Sequence, residues 1–141
     1  MKRNLTGARV LLTGASSGIG WALAETLARS GAKLIVTARR EEALCRLADT
    51  LRRENRAEVT VVVGDITEPM TRKALVKTAR EKFGGLDILI NNAGVGATLR
   101  VEATSEETAR RLFEINYFAP LFLTQAFFPF LRESAKNPEN Q

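Results

Sequence analysis

The residues with the clearest chemical purpose form one run: Thr13, Gly14, Ala15, Ser16, Ser17, Gly18, Ile19 and Gly20. Its glycines are spaced Gly-x-x-x-Gly-x-Gly. Glycine has no Cβ, so such a run can turn tightly and bring bare backbone close to a ligand. A helix that starts there points its first free N–H groups at the opening, where an anion can accept them. The spacing is not the Gly-x-Gly-x-x-Gly dinucleotide fingerprint, and no Lys-Ser/Thr follows as in a P-loop. By itself the run is also a good plain connector, so its flanks decide.

Those flanks alternate between strand and helix periods. Residues 8–13 are a short apolar run suited to a strand buried on both faces. Ile19, Ala22, Leu23, Thr26 and Leu27 recur at helical spacing, and Ser30 and Gly31 end that helix. A second buried strand is expected at 34–37. Ala43, Leu44, Leu47, Ala48 and Leu51 then form one helical stripe, with Arg46, Arg52 and Arg53 on the other face. The β-branched run 59–63 predicts a third strand. Thr67, Glu68 and Pro69 open a helix that Gly84 and Gly85 close. A fourth strand at 86–90 leads into Asn91, Asn92, Ala93 and Gly94, and a last helix is predicted over 104–132. Thr104 and Glu107 have capping-box spacing at its start. Uniformly apolar strands alternating with helices predict an α/β fold, a parallel sheet with helices on both faces.

A strand–glycine turn–helix–strand unit is the setting of a dinucleotide site. At the end of its second strand an acidic residue would bind a ribose 2′-hydroxyl, while arginine would accommodate a 2′-phosphate. The segment here is Thr37, Ala38, Arg39, Arg40, with no carboxylate before Glu41. A guanidinium can grip a phosphate through two hydrogen bonds. Arg39 and Arg40 therefore favour NADP(H) over NAD(H); the plain alternative makes them solvated residues opening a helix. The wider charge pattern agrees with an anionic ligand. Residues 1–56 hold 11 Lys/Arg against 5 Asp/Glu, whereas 57–141 hold 10 against 11.

Composition removes other chemistries. The 141 residues include no histidine, which excludes Ser-His-Asp and Cys-His dyads and His-ligated metals, and no metal site is expected. The lone Cys45 cannot form an internal disulfide. The apolar part of 1–13 is too short for a signal-peptide core, and Pro120, Thr124, Gln125 and Pro129 interrupt the most apolar stretch, 118–131. A cytoplasmic protein bound to no membrane is expected. The basic residues lack interleaved aromatics, so no nucleic-acid partner is expected either.

In these motifs the chain resembles the short-chain dehydrogenase/reductases. The resemblance rests on 13–20 (the family's TGxxxGxG), Asp65 after the third strand, 91–94 (its NNAG) and Asn116 in the last helix. It implies a Rossmann-like fold and hydride transfer between a nicotinamide and a carbonyl or alcohol. It further implies that Gly14, Ser16, Ser17, Ile19 and Gly20 line the pyrophosphate, with Gly18 in the same turn. Asp65 and Ile66 would flank the adenine, and Asn92, Ala93 and Gly94 would lie along the ribose and nicotinamide. Asn116 has a physical argument as well. Pro120, four residues on, has no N–H for the Asn116 carbonyl, which should bend the helix and leave that carbonyl to a water. In the family the matching carbonyl holds a water of the proton relay.

One part of the family pattern is missing. Its proton donor is a tyrosine with a lysine four residues later, assisted by a serine. The single tyrosine, Tyr117, is followed at that distance by Leu121, so it is expected to be a packing residue. Six of seven phenylalanines lie between Phe113 and Phe130, and a helix apolar on several faces expects several partners. Residues 1–141 are accordingly expected to be an incomplete NAD(P)-binding domain, cut after the fourth strand and the following helix, with that helix as a homo-oligomer contact. Its fourth strand would be an uncovered edge. The main functional expectation is the cofactor-binding half of an oxidoreductase acting on a small-molecule carbonyl or alcohol, inactive alone. The alternative is a noncatalytic NADP-binding or interaction module.

Overall fold

The computed structural model describes residues 4–97 and 100–137. Four short runs rich in branched side chains pair as strands: β1 (Arg9–Thr13), β2 (Lys33–Ala38), β3 (Val59–Val63) and β4 (Ile88–Ile90). All pairs are parallel, in the order β3-β2-β1-β4. Helices α1 (Gly18–Arg29), α2 (Glu41–Asn55) and α3 (Pro69–Phe83) connect them, and α4 (Glu106–Phe113) and α5 (Ala119–Ser134) follow. The fold is the expected Rossmann-like α/β arrangement. β4 begins at Ile88 rather than Leu86, and among the described residues it pairs only with β1, with no strand on its other edge.

Alternation along the strands divides the core. Val10, Leu12, Leu34 and Val36 face α1 and α2, where Ala24, Leu44, Leu47 and Leu51 are buried against them. Leu11 and Ile35 point the other way, onto Leu75 and Ala79 of α3 and Leu123 and Phe127 of α5. A strand covered on both sides has no solvent face, which is why these runs lack polar alternation. Each fully buried leucine is worth about 1.5–3 kcal/mol relative to exposure.

The region after β4 departs from expectation. Ser105, not Thr104, caps α4: its Oγ accepts from the Thr108 N–H at 3.1 Å, while the Thr104 hydroxyl donates to the Arg100 carbonyl. The capping box of Thr104 and Glu107 is not formed. The predicted single helix is three segments, with a π-helical turn (Glu114–Phe118) between α4 and α5, and it reaches Ser134. Pro120 explains the turn. It cannot donate to the Asn116 carbonyl, and the ladder widens one step earlier, with the Ala119 N–H on the Glu114 carbonyl.

Among the described residues, only one face of α5 is covered. Ala119, Leu123 and Phe127 are buried, whereas Phe113, Tyr117, Phe118, Leu121, Phe122 and Phe128 are exposed. Tyr117 meets Phe118 edge-on at 5.2 Å rather than filling a core. No helix among the described residues is long and apolar enough to cross a membrane.

At the N-terminal ends of the strands, Arg9 and Asp87 tie β1 to β4. The Arg9 guanidinium donates through Nη2 to Oδ1 at 2.6 Å and through Nε to Oδ2 at 2.9 Å, and the Arg9 backbone N–H adds a bond at 2.8 Å. Ser134 Oγ donates to the same carboxylate at 2.6 Å, fastening the end of α5 to the sheet. Burial alone would push the Asp87 pKa up. The hydrogen bonds from Arg9 and Ser134 outweigh it and hold the carboxyl far below its ordinary value.

Candidate functional site

The loops leaving all four strands open into one cleft of about 380 Å³. It lies where the chain leaves β1 for neighbours on opposite sides, β2 and β4, the switch point at which parallel α/β sheets place ligands. Gly14, Ser16, Ser17, Ile19 and Gly20 border it after β1, Arg39 and Arg40 after β2, Asp65 and Ile66 after β3, and Asn92, Ala93 and Gly94 after β4. Strand-end loop residues as far apart as Gly14 and Gly94 meet there because every strand points the same way.

Its floor is two loops locked together. The Thr13 hydroxyl accepts from the Asn92 and Ala93 N–H groups at 3.0 and 2.9 Å, and donates to the Ile90 carbonyl at 3.3 Å. The Asn92 side-chain amide donates to the Thr13 carbonyl at 3.0 Å and the Gly14 carbonyl at 3.3 Å. Glycine at 20 makes this possible, since a Cβ there would lie 2.2 Å from the Gly14 oxygen and 2.7 Å from the Asn92 nitrogen. Gly18 does a different job. It does not border the cleft, and its φ of +55° with open space around it supplies the left-handed step into α1. The glycine pattern thus serves loop packing as well as access. Ser17 caps α1 without a side-chain hydrogen bond, and the first turn carries no acid, so no side chain of that turn competes for an incoming anion.

The rim is charged. Arg40, at the start of α2, folds back over the glycine turn: its Nη2 donates to Ser17 Oγ at 2.7 Å and Ser16 Oγ at 3.1 Å. Arg39 stands looser, 3.9 Å from Asp65, with the two side chains 58% and 35% exposed. Asp65 is oriented from its other oxygen, which accepts from the Thr67 N–H at 3.0 Å and hydroxyl at 2.8 Å. Arg72 Nη1 donates to the Ile66 and Thr67 carbonyls, both at 2.7 Å, and so fixes the loop from beneath.

Asn116 is near the cleft but does not border it. Its side chain clamps the loop after β4: Nδ2 donates to the Val95 carbonyl at 2.8 Å and Oδ1 accepts the Val95 N–H at 2.9 Å. Gly94 lies close beneath, where a Cβ would sit 3.1 Å from that Oδ1. Thr37, Gly64, Val95 and Ile115 also border the cleft, and sequence reasoning did not select them. Each adjoins a selected residue or lies within two positions of one, which was the available signal. Arg72 gave none, because its partners are backbone carbonyls.

A family profile described as short chain dehydrogenase matches residues 8–137. The chain belongs to the short-chain dehydrogenase family. It is 39% identical over 132 residues to an 11-beta-hydroxysteroid dehydrogenase-like 2 of Arabidopsis thaliana, covering 93% of this chain and 43% of that protein. Among solved structures it is similar to L-sorbose reductase from Gluconobacter frateurii, complexed with NADPH and L-sorbose. The TM-score is 0.89 at 33% identity, over 94% of this chain and 51% of that one. An alcohol dehydrogenase from Thermococcus sibiricus, complexed with 5-hydroxy-NADP, gives a TM-score of 0.86 at 33% identity, over 90% of this chain and 54% of that one. The chain spans about half the length of the relatives it matches, or less.

The residues present suit the NAD(P) cofactor of this family. The helix start without a competing acid, the bare turn beside it and two rim arginines offer a phosphate both N–H donors and positive charge.

Proposed function

We propose that this chain is the cofactor-binding half of a short-chain oxidoreductase that uses NADP(H) on a small-molecule carbonyl or alcohol. The observation that carries the reading is the rim after β2. Two arginines and no carboxylate occupy 37–40, and one of the arginines is already bonded to the glycine turn. Arg39 would take the 2′-phosphate, and Arg40 would hold Ser16 and Ser17 in place and share that charge. The start of α1 and Ser16, Ser17, Ile19 and Gly20 would seat the pyrophosphate. Asp65 and Ile66 would flank the adenine; Asn92, Ala93 and Gly94 would follow the ribose toward the nicotinamide. NADP(H) when bound supplies the hydride carrier. L-sorbose reductase, solved with NADPH, supports the choice of cofactor.

Asn116 holds the 94–95 loop through its side chain, and its carbonyl is offered to a relay water. The family's Tyr-x-x-x-Lys does not occur in this sequence, so the 141-residue chain should bind cofactor without turnover. The exposed aromatic face of α4 and α5 would meet a second copy in the assembled enzyme.

Calorimetric titration of the chain with NADPH and NADH tests the reading. NADPH should bind at least about tenfold more tightly, as one charge-assisted phosphate grip allows. Equal affinities would remove the assignment of Arg39 and Arg40, and absence of binding by either nucleotide would remove the function. Reproducible turnover of a carbonyl or alcohol by the purified chain would overturn the division into halves.

A further inference from the structure

Two threonines stand side by side in the sheet. Thr13 of β1 is the register partner of Thr37 of β2, and both are fully buried. The Thr13 hydroxyl is saturated, with one acceptor and two donors around it. The Thr37 hydroxyl has no hydrogen-bond partner, and among the described residues it is the only buried side-chain nitrogen or oxygen in that state. A buried hydroxyl left without a partner costs free energy that a valine of the same shape would not. Such a group calls for a partner that the folded chain does not itself provide.

Position says what that partner is. Thr37 borders the cleft, two residues before Arg39. On its other side it pairs with Val62, two residues before Gly64. Its hydroxyl therefore belongs to the part of the cleft between the ends of β2 and β3, away from the 92–95 loop. The Thr37 carbonyl is already committed, accepting from the Gly14 N–H at 2.8 Å and the Ala15 N–H at 3.3 Å. That fixes the backbone and leaves the side chain as the adjustable group. One χ1 step between staggered wells swings a threonine hydroxyl about its Cα–Cβ bond, so a group hidden in the free chain can turn toward a ligand above it. A hydroxyl both donates and accepts, which suits a ring nitrogen or a ribose hydroxyl equally.

We propose that the Thr37 hydroxyl is a binding contact for the adenosine half of the dinucleotide, turning from the cleft floor to the ligand when the nucleotide seats. This rests on the cofactor reading above and adds to it a residue that reads adenosine rather than the 2′-phosphate.

The test uses the full chain with Thr37→Val and Thr37→Ser, titrated with NADPH, NADH and 2′,5′-ADP, together with thermal melts without nucleotide. Thr37→Val should melt at the same temperature as the unsubstituted chain or higher. It should bind all three probes about tenfold more weakly, the size of one buried hydrogen bond, with the NADPH-to-NADH ratio unchanged. Thr37→Ser should keep most of the affinity. Unchanged affinity in Thr37→Val overturns the proposal. A lower melting temperature without nucleotide also overturns it, because the hydroxyl then has an internal partner. A changed ratio overturns it by moving the contact to the 2′-phosphate. If the unsubstituted chain binds none of the three, the cofactor reading fails first and this contact with it.

Discussion

The two rims of the sheet each carry an arginine facing an aspartate, and the pairs behave as opposites. Arg9 and Asp87, at the N-terminal rim, meet at 2.6 Å with side chains only 28% and 6% exposed. Arg39 and Asp65, at the C-terminal rim, stand 3.9 Å apart, the arginine mostly exposed and the aspartate about one-third exposed. The first carboxylate receives every donor it needs from within the chain, including Ser134 from α5. The second spends one oxygen on Thr67 and leaves Arg39 loosely held. The same two residue types thus make a fastening where all donors converge, and a receptive edge where they do not. A site that must take a charged ligand cannot be saturated beforehand.

Removing one partner of the tight pair should have the largest effect. Asp87→Ala leaves a partly buried guanidinium without its carboxylate and removes the Ser134 hydrogen bond to the sheet. It should cost about 3 kcal/mol in denaturant unfolding, the low end for a broken buried pair because Arg9 is partly wet. A loss below about 1 kcal/mol would erase the contrast between the rims. Acid should reveal the same fastening without mutation. Folding lowers the Asp87 pKa, so the unfolded chain takes up that proton first. The stability it contributes is complete above about pH 5 and is lost progressively as pH drops from the ordinary carboxylate range down through the lowered folded-state value. Melting temperatures of Asp87→Asn should decline less over that interval than those of the unsubstituted chain; parallel declines would place the acid sensitivity elsewhere.

At the open rim the expected effects are on binding. Arg39→Asp should lower the NADPH-to-NADH affinity ratio by about tenfold or more, as attraction for a 2′-phosphate becomes repulsion, with little change in unfolding. An unchanged ratio would transfer the phosphate contact to Arg40. Asp65→Asn should be the mildest, within about 0.5 kcal/mol in stability, since a partly solvated pair at 3.9 Å contributes little and Asn can still accept from Thr67. A cost comparable to Asp87→Ala would mean that the two pairs are alike after all.

Legibility follows the range of the interactions. The strands and α2 could be read because their apolar spacing is local, and Leu44, Leu47 and Leu51 are buried as that spacing requires. The loops of the cleft were legible because residue type and order mark them: glycines at 14 and 20, Asn92 after β4, arginines after β2. What those side chains bond to was not legible. The clamp between Asn116 and Val95 and the fold-back of Arg40 onto Ser16 depend on loop paths that no periodicity encodes. Arg9 and Asp87 are 78 positions apart, and only the parallel register of β1 and β4 brings them together. Thr104 and Ser105 show the limit at close range. Both can cap a helix, and one residue of backbone path decides between them.

The π-helical turn at Glu114–Phe118 has a further consequence, one of phase. It places one more residue in that turn than an α-helix would, so every side chain after it is rotated relative to those before. Each residue of an α-helix advances the face by about 100°. That added residue sets Ala119, Leu123 and Phe127 toward the sheet while Asn116 still reaches Val95. Shortening the turn by one position would keep every α5 residue and still swing Phe127 off Leu11 and Ile35. The turn is the gear that lets one helix serve both the cleft and the core.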